Sequence, residues 1–99
     1  MAQNPLEIIE SNDGELYRYI EAGRALAFAP GALGAKEKFL IAAALDAARG
    51  AANGVRALAE QAVAAGATRE EVMEAMRVAA YISGVGSVYT AAAGLDGLF

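Results

Sequence analysis

About a quarter of this chain is alanine, whereas β-branched and aromatic residues are sparse. Alanine is the strongest helix former and a poor strand former, so the bias predicts an all-α fold. The spacing of apolar residues predicts about five helices. Leu6, Ile8, Ile9, Leu16, Tyr17, Tyr19, Ile20, Ala27 and Phe28 mark the first segment. Its break at Ser11-Asn12-Asp13-Gly14 points to a short helix followed by a longer one, which Asp13 can cap. Pro30, Gly31 and Gly34 then interrupt the pattern and predict the main interior loop.

From Ala35, the residues Phe39, Leu40, Ala43, Ala44, Ala47 and Ala48 recur at helical spacing, predicting a largely buried helix. Gly50 and Gly54 flank Asn53 and predict a tight connection before Val55, Leu58, Ala62 and Val63 continue. Gly66 suits a helix C-terminus. Thr68-Arg69-Glu70-Glu71 has the form in which a hydroxyl and a carboxylate satisfy each other's orphan amides, so a helix is predicted from Arg69. It carries Val72, Met73, Ala75, Met76, Ala79, Ala80 and Ile82 and stops near Ser83-Gly84-Val85-Gly86. The last helix is predicted from about Ser87 to Leu95.

A length of 99 residues with 57% hydrophobic and 20% charged content predicts one domain over residues 1–99. The chain contains neither cysteine nor histidine. Those absences exclude disulfides, thiol nucleophiles, thiolate zinc sites and the Ser-His and Cys-His pairs, leaving carboxylate, tyrosine, lysine and arginine chemistry. The net charge of −4 repels phosphate backbones, so no nucleic-acid partner is expected. The longest apolar run, Phe39 to Leu45, is far below the ~20 residues of a membrane-spanning helix. The opening Met1-Ala2-Gln3-Asn4-Pro5 lacks the basic and apolar regions of a signal peptide, so the expected location is the cytoplasm and no membrane partner is expected.

Small side chains let helices approach closely but bury little area each, at about 25 cal/mol per Å². A lone subunit is therefore expected to be marginal. The apolar surface around Ile82, Val85, Val88, Tyr89, Leu98 and Phe99 exceeds what a bundle of this size needs for itself, which predicts a homo-oligomer.

Three segments carry a family resemblance: Gly31-Ala32-Leu33-Gly34-Ala35-Lys36-Glu37-Lys38-Phe39-Leu40-Ile41-Ala42, then Ala65-Gly66-Ala67-Thr68-Arg69-Glu70-Glu71-Val72, then Ala80-Tyr81-Ile82-Ser83-Gly84-Val85-Gly86. In order and spacing, the chain resembles the carboxymuconolactone decarboxylase family, which includes the alkylhydroperoxidase D-like proteins. The resemblance implies an all-helical subunit that assembles into trimers or hexamers. It also implies a reactive centre, which in the redox members comprises a C-x-x-C pair, a histidine four residues on and a glutamate one helix earlier. Counted back from Gly66, those positions match Ala51, Gly54, Leu58 and Phe39. The peroxidase mechanism therefore lacks its thiols here, and the decarboxylase branch lacks its histidine at Leu58.

Among the remaining polar residues, Asp46 and Arg49 sit three apart in an otherwise apolar stretch and are placed to pair. In a functional reading Asp46 is a general base, and Arg49 or Arg56 clamps a substrate carboxylate. In the structural reading the two form an ion pair within the helix or between subunits, the commoner use of such residues. Asn53 lies where the family's reactive pair would be, either as an anion site at a helix N-terminus or, more simply, as an N-cap. Tyr81 and Tyr89 flank the glycine turn, where Tyr89 is a candidate ligand contact, although packing anchors are the expectation for both. Gly84-x-Gly86 is expected to permit close helix contact. The N-terminal glutamates lack the spacing of a metal loop, and no metal or cofactor is expected.

Two functions follow as expectations. One is an oligomeric binding or assembly module without the redox motif. The other is a cofactor-free acid/base enzyme acting on a small organic acid or lactone through Asp46, with a small carboxylate as ligand.

Overall fold

The computed structural model describes residues 4–99, which divide into two compact units: one up to Pro30, the other from Gly31 to Phe99. Among the described residues there are six helices and no strand: α1 Glu7–Asn12, α2 Gly14–Ala27, α3 Ala35–Ala48, α4 Ala52–Ala64, α5 Arg69–Ser83 and α6 Gly86–Leu95. The all-α expectation holds. The count is six where about five were expected, and the predicted break at Asp13 is one of the boundaries.

In the first unit Asp13 is the N-cap of α2, its Oδ1 accepting from the Leu16 amide at 3.0 Å. The cap satisfies one of the orphan donors that open a helix. Taken by itself, this helical pair buries none of its residues.

In the second unit α3 packs on α4, α5 and α6, and α4 and α5 each pack on α6. Two apolar clusters result. Ala43, Ala47, Val55, Met76, Ala79 and Ala91 form the first, and Ala59, Ala62, Ala67 and Val72 the second. Val55 and Val72 are the largest side chains buried completely, so close backbone approach takes the place of bulky packing. At Gly94 of α6 that approach is tightest. A Cβ there would lie 2.7 Å from the Ala52 carbonyl oxygen and 2.8 Å from Val55 Cβ, both at the start of α4.

The turn between α3 and α4 is set by the end of α3. Gly50 takes φ +83, the Ala51 amide donates back to the Asp46 carbonyl at 2.8 Å, and the Gly50 amide to Ala47 at 3.3 Å. This double bond pattern closes a helix C-terminus, and the left-handed residue within it strongly favours glycine. At the end of α4 the same pattern runs from Ala67 to Ala62 and from Gly66 to Val63. The predicted start of α5 follows. Thr68 Oγ1 accepts from the Glu71 amide at 3.1 Å, and Glu71 accepts from the Thr68 amide at 2.9 Å.

Four expectations need correction. Helix α3 is only partly buried: Ala43 and Ala47 face the core, whereas Ile41 and Leu45 are exposed. Asn53 is not an N-cap, because α4 begins at Ala52 with Ala51 at its cap. Tyr81 and Tyr89 do not anchor packing within the subunit and are 89% and 75% exposed. Gly84 serves the turn with φ +89, and nothing lies within 4 Å of a Cβ at Gly86, so close contact belongs to Gly94 instead.

Candidate functional site

The polar residues singled out from the sequence converge in part on the turn between α3 and α4. Asp46 lies in the last turn of α3, and its Oδ1 accepts from Arg49 Nε at 2.7 Å. The carboxylate is 14% exposed, while Arg49 extends into solvent. The other oxygen, Oδ2, faces the bare Cα of Gly54 across the turn; a Cβ at Gly54 would collide with it and would stand only 2.8 Å from Asp46 Cγ. Glycine at this position is thus what admits the carboxylate. A negative group beside the first turn of α4 also meets the positive end of that helix's dipole.

The opposite flank of the same turn is closed by Gly94 of α6, which rests on the Ala52 carbonyl. Ala51 and Gly54, the two positions that the resemblance equates with the reactive pair, are therefore the cap and third residue of α4, and Gly54 faces the Asp46 carboxylate. Leu58 is half-buried against the first apolar cluster and Phe39 against the second. Hydrocarbon occupies the positions equated with the proton relay.

Asn53 is exposed in the first turn of α4, one residue from Gly54. Arg56 is drawn elsewhere: its Nε donates to Glu60 at 3.2 Å and its Nη1 to the Asp96 carbonyl at 2.6 Å. Those bonds tie α4 to the end of α6. Tyr89 belongs to a separate surface on α5 and α6, where Val78, Tyr81, Ile82, Val85 and Val88 are also exposed. The structure joins Asp46, Arg49 and Gly54, and it engages Arg56 with other partners.

A second polar cluster, not anticipated from the sequence, bridges α3 and α5. Lys36 Nζ lies 2.9 Å from Glu71 and 3.6 Å from Glu37. The Thr68 amide and then the Lys36 ammonium hold the Glu71 carboxyl below the usual carboxylate value, and Glu71 in turn raises Lys36. The capping box announced Glu71 in the sequence, but its long-range partner had no local signal. Among the described residues no three acidic side chains converge as metal ligands would, and no helix is long and apolar enough to cross a membrane.

The Carboxymuconolactone decarboxylase family profile matches residues 14–96. A crystal structure of the apo form of a carboxymuconolactone decarboxylase family protein from Legionella pneumophila is similar, with a TM-score of 0.85 and 32% sequence identity over 92% of this chain and 81% of that one. No curated protein matches the chain.

Proposed function

We propose, on the premise that the chain belongs to the carboxymuconolactone decarboxylase family, that it works as a homo-oligomeric binding or assembly module and not as a thiol peroxidase. Without cysteine there is no peroxidatic or resolving thiol, and the counted positions hold Ala51, Gly54, Leu58 and Phe39. The observation that carries the assembly reading is the apolar face at the junction of α5 and α6. Ile82 is 75% and Val85 70% exposed, flanked by Tyr81, Val88 and Tyr89. Exposed apolar side chains this close in sequence favour burial against another surface, and a second copy of the chain is the proposed partner.

Replacing Ile82 or Val85 by glutamate tests this. Each substitution places a charge where the partner's hydrocarbon would be, so the native mass should fall toward that of a single subunit and the melting temperature should lose its dependence on protein concentration. Unchanged native mass and stability in both variants would overturn the assembly reading.

A second reading, a cofactor-free acid/base enzyme for a small organic acid or lactone, is favoured by the shielded Asp46 carboxylate beside Arg49. It requires Asp46→Asn to abolish turnover. Retention of any turnover found in the parent removes Asp46 from the role of base.

A further inference from the structure

We propose that the cleft between α5 and α6 binds a small amphiphile with an apolar body and a single anionic head, the head seated on Arg77. The cleft is open to solvent along one side and offers about 440 Å³, inside the range of sites that take small organic molecules. Its position follows from matching stripes on the two helices. Met73, Met76, Arg77 and Ala80 of α5 and Val88, Ala91, Ala92 and Leu95 of α6 each follow the i, i+3, i+4, i+7 pattern of one helix face. The methyl side chains of Ala80, Ala91 and Ala92 leave the space, while Met73, Met76 and Leu95 supply an adaptable apolar lining. Phe99 stands at the border with its ring under the Arg69 guanidinium, 5.6 Å from it.

Within this lining Arg77 breaks the apolar pattern. It occupies a stripe position that the neighbouring residues fill with hydrocarbon, and it has no ion-pair partner among the described residues. A guanidinium beside an apolar cleft is complementary to a carboxylate or sulfonate whose hydrocarbon body occupies the cleft. Asp96 also borders the cleft, and among the described residues its carboxylate makes no ion pair. An occupant with two anionic groups is thereby disfavoured, which restricts the class to one charged head.

Octanoate is the probe, with octan-1-ol as its uncharged counterpart, each titrated into the full chain carrying ¹³C-labelled methionine methyls. Octanoate should shift the Met73 and Met76 signals saturably. Arg77→Gln should weaken octanoate about fivefold, the size of one partly exposed charge-assisted hydrogen bond, and leave octanol unchanged. Ala92→Phe, at an exposed position on the cleft, should remove both. If that variant loses its helical spectrum, the Arg77→Gln comparison decides alone. Shifts that never saturate, that survive Ala92→Phe in a folded protein, or that fall equally for octanoate and octanol in Arg77→Gln would overturn the proposal. So would methyl signals that follow protein concentration and ignore octanoate, because a second copy would then cover the cleft. Val88 borders both this cleft and the face at Ile82 and Val85, but the residues that carry these readouts, Met73, Met76, Arg77 and Ala92, are not on that face, so the native-mass result for Ile82 and Val85 is read separately.

Discussion

Adding one methyl group at Gly94 tests whether backbone proximity holds the second unit together. In Gly94→Ala the new Cβ would stand 2.7 Å from the Ala52 carbonyl oxygen, 2.8 Å from Val55 Cβ and 2.9 Å from Val55 Cγ1. Favourable carbon contacts lie at roughly 3.5–4.0 Å, so α6 must move outward by about 1 Å. Two of the three obstacles are backbone or Cβ atoms, which no rotamer change can relieve. Overpacking of this kind costs about 1–3 kcal/mol, while replacing glycine by alanine within a helix returns up to ~1 kcal/mol. The net expectation is a loss of up to about 2 kcal/mol relative to the parent and about 1–3 kcal/mol relative to an unobstructed glycine-to-alanine change, with the melting temperature falling by about 4–8 °C for each kcal/mol in a domain of this size. Gly86→Ala is the control, since nothing lies within 4 Å of its Cβ and its φ is not positive. Thermal and urea unfolding followed by circular dichroism, at one fixed protein concentration, measures both variants. A Gly94→Ala protein as stable as Gly86→Ala would refute the packing argument, because the helix would then have room that the geometry denies it.

Two further variants probe the polar contacts. The Thr68 amide and Lys36 lower the Glu71 pKa, so their stabilising contribution is present above the ordinary carboxylate value of 4.5 and lost as pH falls through the lowered one. Glu71→Gln should accordingly flatten the acid limb of melting temperature against pH, and an acid limb parallel to the parent's would refute the linkage. Asp46→Asn should cost less than ~1 kcal/mol in urea unfolding, because Arg49 is 73% exposed and water screens the pair. A larger loss would mean that the carboxylate at Gly54 organises the turn more than its ion pair does.

How much of this was legible in the sequence depended on the range of each interaction. Asp13, Gly66 and the Thr68-to-Glu71 capping box act within a few residues, and each does what its local pattern predicted. Asn53 failed as a cap although its intrinsic preference is sound. The end of α3 decided the matter, because its closing bonds at Gly50 and Ala51 bring the chain to α4 before Asn53 is reached. The Asp46 contact with Gly54, the Lys36 bridge to Glu71 and the seat of Gly94 on Ala52 pair residues on different helices, so no local periodicity encodes them. The cleft was hidden for the same reason: Ala80, Ala91 and Ala92 read as helix formers, and only their juxtaposition creates space.

The residues at the counted reactive positions extend the same reasoning from fold to chemistry. Ala51 caps α4, Gly54 admits the Asp46 carboxylate, and Leu58 and Phe39 pack against the two apolar clusters. Gly54, Leu58 and Phe39 each hold a contact that a reactive side chain would disturb, whereas Ala51 occupies the N-cap position of α4 without a side-chain cap bond. A thiol at position 54 would meet Asp46, and an imidazole at position 58 would place a polar ring against the first apolar cluster. Thiol chemistry is therefore not one substitution away. The Asp46 carboxylate fills the space that a side chain at position 54 would need, and the surfaces proposed for recognition are the apolar face at Ile82 and Val85 and the cleft beside Arg77.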